Sequence, residues 1–181
     1  ISCSLVGSEM CIRDRNRQAA SANNAGGNNN QNNNNQNNTD VNITSGKYSI
    51  GTYITGIEPG TSAADFVKNI AVSASGTVKL LTSSGSENSG KIATGNKVAV
   101  YDASGNLKKT YDIVIYGDIN GDGAVNALDM IKLNRHILGK GTLTGAYLEA
   151  ADANRKRDGG NALDMIIMNR HILGKSKISQ N

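Results

Sequence analysis

The chain predicts an α+β, multi-domain protein, a small β-rich module followed by a small all-α unit built from two loop-helix repeats. Three observations lead there. Short apolar-alternating runs separated by Gly, Ser and Asn turns fill residues 41–116. Further on, Asn126 to Lys140 reads NALDMIKLNRHILGK and Asn161 to Lys175 reads NALDMIIMNRHILGK, differing only at Lys132/Ile167 and Leu133/Met168. Each copy follows an acidic, glycine-containing segment. The expected division is a leader over 1–15, a linker over 16–40, the β module over 41–116, the duplicated unit over 117–175 and a tail over 176–181.

The leader starts at Ile1, and Ser4 to Arg15 resembles a translated sequencing-adapter artefact of environmental gene models. Its apolar stretch is too short and interrupted for a signal-peptide core or a membrane span, so the missing export signal is expected to reflect truncation rather than cytoplasmic residence. Both cysteines, Cys3 and Cys11, lie there, which removes disulfide frameworks and thiol metal sites from the rest. Asn23 to Asn38 is nearly all Asn, Gln and Gly, with nothing apolar to offset the entropy of ordering, and reads as linker.

In the β module, Tyr53–Ile57, Thr77–Leu81, Lys97–Tyr101 and Tyr111–Tyr116 alternate as strands do. A helix is expected from Ser62 to about Ile70, with Ser62 and Asp65 as a capping box and Ala63, Phe66, Val67 and Ile70 as its apolar side. Asp102 to Gly105 should turn a hairpin. No His or Cys lies here to activate a nucleophile, and Glu58, Asp65, Glu87, Asp102 and Asp112 are scattered. About 75 residues also make too small a core for a glycosidase cleft, so no catalysis is expected. The tyrosines Tyr48, Tyr53, Tyr101, Tyr111 and Tyr116 suit strand packing better than a carbohydrate platform, and Trp is absent.

Asp118 to Asp129 places oxygen side chains at the spacing of a calcium loop. Calcium takes six to eight oxygens, and twelve residues can wrap it if alternate side chains point inward. Asp118, Asn120 and Asp122 alternate; Gly123 sits where the loop turns sharply; Ala124 offers its carbonyl; Asn126 can act through a water; and Asp129 closes the sphere. The segment before it, Thr110 to Tyr116, is β-branched and aromatic, so a strand enters the loop where an EF-hand has a helix.

Asn126 caps the helix that follows, with Asp129 as capping-box partner, and Gly139 stops it. Leu128, Ile131 and Leu138 form one apolar stripe and Met130, Leu133 and Ile137 another. Facing Leu163, Ile166, Leu173, Met165, Met168 and Ile172 of the second copy, they are expected to make one core. Asn134, Arg135 and His136, with Asn169, Arg170 and His171, fall on the wet side.

The second loop departs from the pattern. Asp152 to Asp164 is thirteen residues long, and Arg155, Lys156 and Arg157 precede Asp158, which misses the fifth position from either end. Three cations disfavour a divalent ion. The candidate ligands are Asp152, Asn154, Asp158, Asn161 and Asp164, with the extra residue looped out at Gly159-Gly160.

A duplicated loop-helix with Asp closing the loop, Asn-Ala-Leu-Asp leading into the helix and a His-Ile-Leu-Gly end resembles the type I dockerin family over roughly Tyr116 to Lys175. The resemblance implies calcium as cofactor and, as partner, the cohesin domain of a scaffold protein, as in cellulosomes. It further implies that Ala127, Leu128, Asn134 and Arg135, and equally Ala162, Leu163, Asn169 and Arg170, contact cohesin, so that either repeat presents the same surface. Helix periodicity alone leaves Leu128 and Leu163 equally placed for the core.

A formal net charge of +4 is too weak and dispersed for nucleic acid. The leading expectation is a calcium-dependent interaction module in the C-terminal part of a secreted bacterial protein linked to polysaccharide degradation. The alternative is a calcium-stabilised surface or adhesion protein whose duplicated unit packs in cis on the β module. An intracellular calcium sensor is disfavoured by the missing entering helices.

Overall fold

The computed structural model describes residues 41–73 and 75–181, so the expectations for the leader, the cysteines and the linker lie outside the described residues. The β module comprises β1 (Ile43–Thr44), β2 (Ser49–Ile50), β3 (Tyr53–Thr55), α1 (Ala63–Lys68), β4 (Ala71–Val72), β5 (Thr77–Leu81), β6 (Lys97–Tyr101) and β7 (Leu107–Ile113). Five strands form one sheet in the order β2-β3-β7-β6-β5, and β1 pairs with β4 separately. β3 runs parallel to β7, whereas the other pairs are antiparallel.

The sequence located the strands at 77–81 and 97–101 with their observed bounds. The final strand begins earlier than expected and ends at Ile113, because Val114 to Tyr116 leave the ladder to enter the junction with the C-terminal unit. In α1, the Ser62 hydroxyl accepts from the Asp65 N–H, which is half of the expected capping box, while the Asp65 carboxylate takes the Ser62 hydroxyl instead of its backbone N–H. Val67 is a correction: it faces solvent at 42 % exposure, while Ala63 and Phe66 are buried. The hairpin turn forms as expected, with the Asp102 carboxylate accepting from the Ser104 and Asn106 N–H groups.

The sheet packs its inner face on α1, and Ile54, Ile57, Phe66, Ile92, Val100, Ile113 and Ile115 are at the centre of that core. Tyr48 and Tyr111 are buried in it. Three of the scattered carboxylates have structural partners: Asp65 accepts from the Ser62 hydroxyl and pairs with Lys68, Asp102 holds the turn and Asp112 pairs with Lys97.

The C-terminal unit contains α2 (Ala127–Ile137), α3 (Gly145–Ala151) and α4 (Ala162–Ile172). The connecting helix α3 was not expected. It presents Ala146, Ala150 and Ala151 inward, small side chains that let it lie close to the second core.

That core corrects the stripe assignment. Leu133 and Met168 are fully buried, helped by half-buried Met130, Met165 and Ile167. Leu128, Ile131, Leu138, Leu163, Ile166 and Leu173 are all more than half exposed, and Ile137 and Ile172 lie outside as well. Two adjoining apolar stripes on each helix give more than one candidate face, and the narrow one at Leu133 and Met168 is buried.

Residues 176–181 are not a loose tail. Ile178 enters the second core, and the Gln180 side chain is buried, donating to the Tyr116 carbonyl and accepting from the Tyr116 N–H. The described residues fall in one unit.

Candidate metal loops and docking faces

Asn126 accepts from the Leu128 N–H while Asp129 accepts from the Asn126 N–H, and Asn161 with Asp164 repeats the arrangement. Asp129 and Asp164 therefore do two things at once. Each closes the capping box that starts its helix, and each turns its other carboxylate oxygen back over its loop. Asp129 Oδ1 accepts from Ile119 N at 2.8 Å and Asn120 N at 2.9 Å, and Asp164 Oδ1 from Asn154 N at 2.9 Å.

In the first loop, Asp118 is fully buried. Its Oδ1 accepts from Gly121 N at 2.9 Å and Asp122 N at 3.1 Å, and its Oδ2 from Gly123 N at 3.1 Å and Thr94 N at 2.8 Å. Asn120 Oδ1 accepts from the Asp122 N–H, and Asp122 Oδ1 from the Ala124 N–H. Gly121 and Gly123 take φ of 76° and 79°, the left-handed region that a side chain resists.

The second loop copies this backbone one residue out of step with its helix. Asp152 accepts from Lys156 N at 3.2 Å and Arg157 N at 2.5 Å, and Asn154 Oδ1 from Lys156 N at 2.8 Å. Asp152, Asn154, Lys156 and Arg157 thus stand where the first loop has Asp118, Asn120, Asp122 and Gly123. Arg155 and Arg157 adopt φ of 57° and 58°, the counterparts of Gly121 and Gly123. The added residue falls at Gly159-Gly160, as the sequence suggested, with Gly159 at φ 75°.

Lys156 has no carboxylate to offer in the fifth place. Asp158, two places on, takes over: ligand oxygens of Asp152, Asp158 and Asp164 all lie within 4.8 Å of one another. Among the described residues this is the one group of three acidic, His or Cys side chains so gathered. The sequence reading of Asp158 as out of register holds for the fifth place, yet the structure still brings the side chain to the cluster. Asn154 Nδ2 beside it is buried without a hydrogen-bond partner.

These loops suit a hard dication. Asp118, Asp129, Asp152 and Asp164 are buried, and among the described residues no Lys or Arg forms an ion pair with any of them. Burial pushes the Asp118 carboxyl up to about 6 against the opposing N–H donors. It also raises Asp129 and Asp164. Buried anions without counter-charge call for a cation, and all the side chains gathered are oxygen donors.

Both helices end in the same way. Gly139 N donates to His136 O and Lys140 N to Arg135 O, and Gly174 and Lys175 repeat these bonds with His171 and Arg170, a Schellman pair. His136 Nδ1 then accepts from Leu143 N at 3.3 Å and His171 Nδ1 from Ile178 N at 3.1 Å. The histidines, expected on the wet side, pin the chain leaving each helix. The repeat thus reaches Leu143 and Ile178, an apolar match at the same offset that the sequence already contained.

Residues 116–173 match the family model described as the dockerin type I domain. This segment is a type I dockerin. No curated protein and no solved structure gives a match to the chain. A dockerin is a calcium-dependent protein–protein interaction module whose typical partner is a cohesin. On this dockerin Ala127, Leu128, Asn134 and Arg135 are exposed, as are Ala162, Leu163, Asn169 and Arg170, so the structure takes Leu128 and Leu163 out of the core. Ile131 with Leu138, and Ile166 with Leu173, extend each patch. Among the described residues no helix is long and apolar enough to cross a membrane.

The sequence did not show that the β module covers the first loop. Besides the Thr94 bond, Gly60 N donates to Gly123 O at 2.9 Å, and Tyr53 packs on the dockerin core. Contacts of this kind run largely through backbone and leave little trace in residue type.

Proposed function

We propose that this chain is the C-terminal part of a secreted bacterial protein whose dockerin binds calcium in both loops and attaches its carrier to a scaffold cohesin, in a system that degrades polysaccharide. Asp118, Asn120, Asp122, the Ala124 carbonyl, Asn126 and Asp129 hold calcium in the first loop, and Asp152, Asn154, Asp158, Asn161 and Asp164 hold it in the second. The described part acts by binding and not by catalysis, since the carboxylates Asp65, Asp102 and Asp112 of the β module are held by the N-cap serine of α1, a turn and an ion pair.

One observation carries the docking reading. Two faces of nearly identical sequence each expose an apolar centre, Leu128 at 58 % and Leu163 at 56 %, with Asn and Arg beside it. An apolar centre with a polar rim is what a modest protein interface needs. Because the two faces are equally exposed, either serves, and the module docks in two orientations.

The β module does pack in cis on the dockerin, which is the geometry of the surface-protein alternative. It leaves both faces open, so cis packing supports the module without replacing the external partner.

A pull-down of the full chain against a panel of type I cohesins, in calcium and in chelator, tests the reading. Leu128→Asp with Arg135→Glu, or Leu163→Asp with Arg170→Glu, should each weaken binding by less than tenfold, about 1.4 kcal/mol. All four together should abolish it, with folding checked by circular dichroism. Binding lost with one pair alone rules out two-way docking, and binding indifferent to chelator rules out the calcium reading.

A further inference from the structure

We propose that the β module supplies the outer shell of the first calcium loop, with Thr94 as the positioning residue. The proposal rests on the reading that Asp118 to Asp129 binds calcium. Thr94 lies in the segment between Ile92 and β6, far upstream in sequence, yet its N–H reaches Asp118 Oδ2 at 2.8 Å in a fully buried contact. Its hydroxyl donates to Ile115 O at 3.2 Å and accepts from Ile115 N at 3.1 Å. Ile115 is three residues before Asp118, so one side chain ties the donor segment to the stretch after β7 that delivers the ligand.

The approach is backbone against backbone. A Cβ on Gly123 would stand 2.5 Å from Ile92 O, and one on Gly121 would stand 2.9 Å from Thr94 O. Gly60 N closes the other side on Gly123 O. The loop therefore reaches its bent form while held from outside, and the Asp118 carboxylate has its orientation fixed by donors that do not depend on the loop alone. Outer-shell bonds of this kind set ligand orientation and so metal affinity.

The second loop is the internal comparison. Asp152 accepts only from Lys156 and Arg157, both within its own loop, and among the described residues no β-module group donates to it. The covering is thus specific to one of two equivalent carboxylates. Coupling between sites is reciprocal, so calcium at the first loop must in turn hold the Ile92–Asn96 segment and Gly60 of the β module in place.

The test is calcium titration of the full chain by calorimetry, with Asp118→Ala and Asp164→Ala assigning the two sites. Thr94→Val keeps the N–H and volume but frees the segment from Ile115. It should weaken the first site about 10- to 100-fold, the range for outer-shell partners, and leave the second unchanged. Thr94→Ser, which keeps the hydroxyl, should restore the first site.

A Thr94→Val effect that falls on both sites equally, or on neither, overturns the proposal while the calcium reading stands. If Asp118→Ala removes no calcium site, the calcium reading itself fails, and the proposal with it. Amide hydrogen exchange of the unsubstituted chain decides the matter should Thr94→Val not fold. Thr94 and Gly60 amides should exchange more slowly in calcium than in chelator, and lose that response in Asp118→Ala; exchange indifferent to calcium at both amides overturns the coupling.

Discussion

The two dockerin repeats share a helix almost letter for letter, yet their loops are held in different ways. The first bends through Gly121 and Gly123, is fastened by Thr94 and Gly60 of the β module, and keeps the twelve-residue calcium spacing. The second makes the same bend through Arg155 and Arg157, has a lysine in the fifth place and recruits Asp158 from two positions further on. The helix and its caps fix where the closing carboxylate stands; the loop between has latitude. The acidic cluster tolerates an inserted residue because its first and last members stay pinned, here Asp152 by its own loop N–H groups and Asp164 by the capping box.

The largest way to break the comparison is to remove the cation from both loops. With free calcium at 1,000 times its Kd, one site stabilises the folded state by about 4 kcal/mol, so chelator should lower the melting temperature of the full chain and reduce its helicity. Asp129→Ala and Asp164→Ala should each lose one site, measured by calcium titration. The pH dependence should change sign. In chelator the folded Asp118 carboxyl sits at about 6 against an ordinary 3.8, so its charge penalty is absent at low pH and complete above 6. Stability in chelator should therefore fall as pH rises through that window. In saturating calcium the ligands must be anionic, and stability should rise over the same window. Thermal melts between pH 4 and 7 with and without calcium check this, and parallel slopes would sink it.

The next comparison sets Ile178 against Leu143, the residues whose N–H groups are held by His171 and His136. Ile178 is 4 % exposed and lies in the second core, where Leu143 only packs against its edge. Truncating a buried Ile costs about 2–5 kcal/mol. Ile178→Ala should reach that range in denaturant unfolding and Leu143→Ala should fall clearly below it. Equal losses would mean that the C-terminal residues pack as loosely as the inter-repeat connection.

What could be read from residues alone follows from what each feature depends on. The first loop, both capping boxes and the hairpin at Asp102 were legible because each is settled by a few neighbouring residues of fixed spacing. The core was not. Leu128 and Leu133 are equally apolar, and it is the packing of α2 on α4, with Ala146, Ala150 and Ala151 of α3 in the same core, that decides which of them turns inward. Helix α3 itself was missed because its N-cap, Thr144, makes no side-chain cap bond and it is only seven residues long. The Thr94 and Gly60 contacts donate from backbone N–H, which every residue but proline has. Gly121 and Gly123 carried the one hint, since small residues mark close approach as well as tight turns.

The finest comparison exchanges the bend residues. A side chain in the left-handed region costs roughly 1–2 kcal/mol, and glycine, which is free there, loses about 0.5–1 kcal/mol more than others on folding. The balance favours glycine by about 0.5–1 kcal/mol. Arg157→Gly should therefore stabilise the chain in chelator by that amount and, by taking a cation away from the cluster of Asp152, Asp158 and Asp164, tighten the second calcium site. Arg155→Gly should gain less. Its guanidinium lies 5.8 Å from the Tyr116 ring centre and bonds the Ser179 hydroxyl at 3.4 Å, contacts that join the second loop to the C-terminal residues and would be lost. The reverse exchange, Gly123→Arg in the first loop, should be far worse than the strain alone, because Ile92 O stands where the new Cβ must go. Denaturant melts in chelator and calcium titration rank the three. If Arg157→Gly destabilises while Gly123→Arg is tolerated, the backbone correspondence between the two loops is wrong.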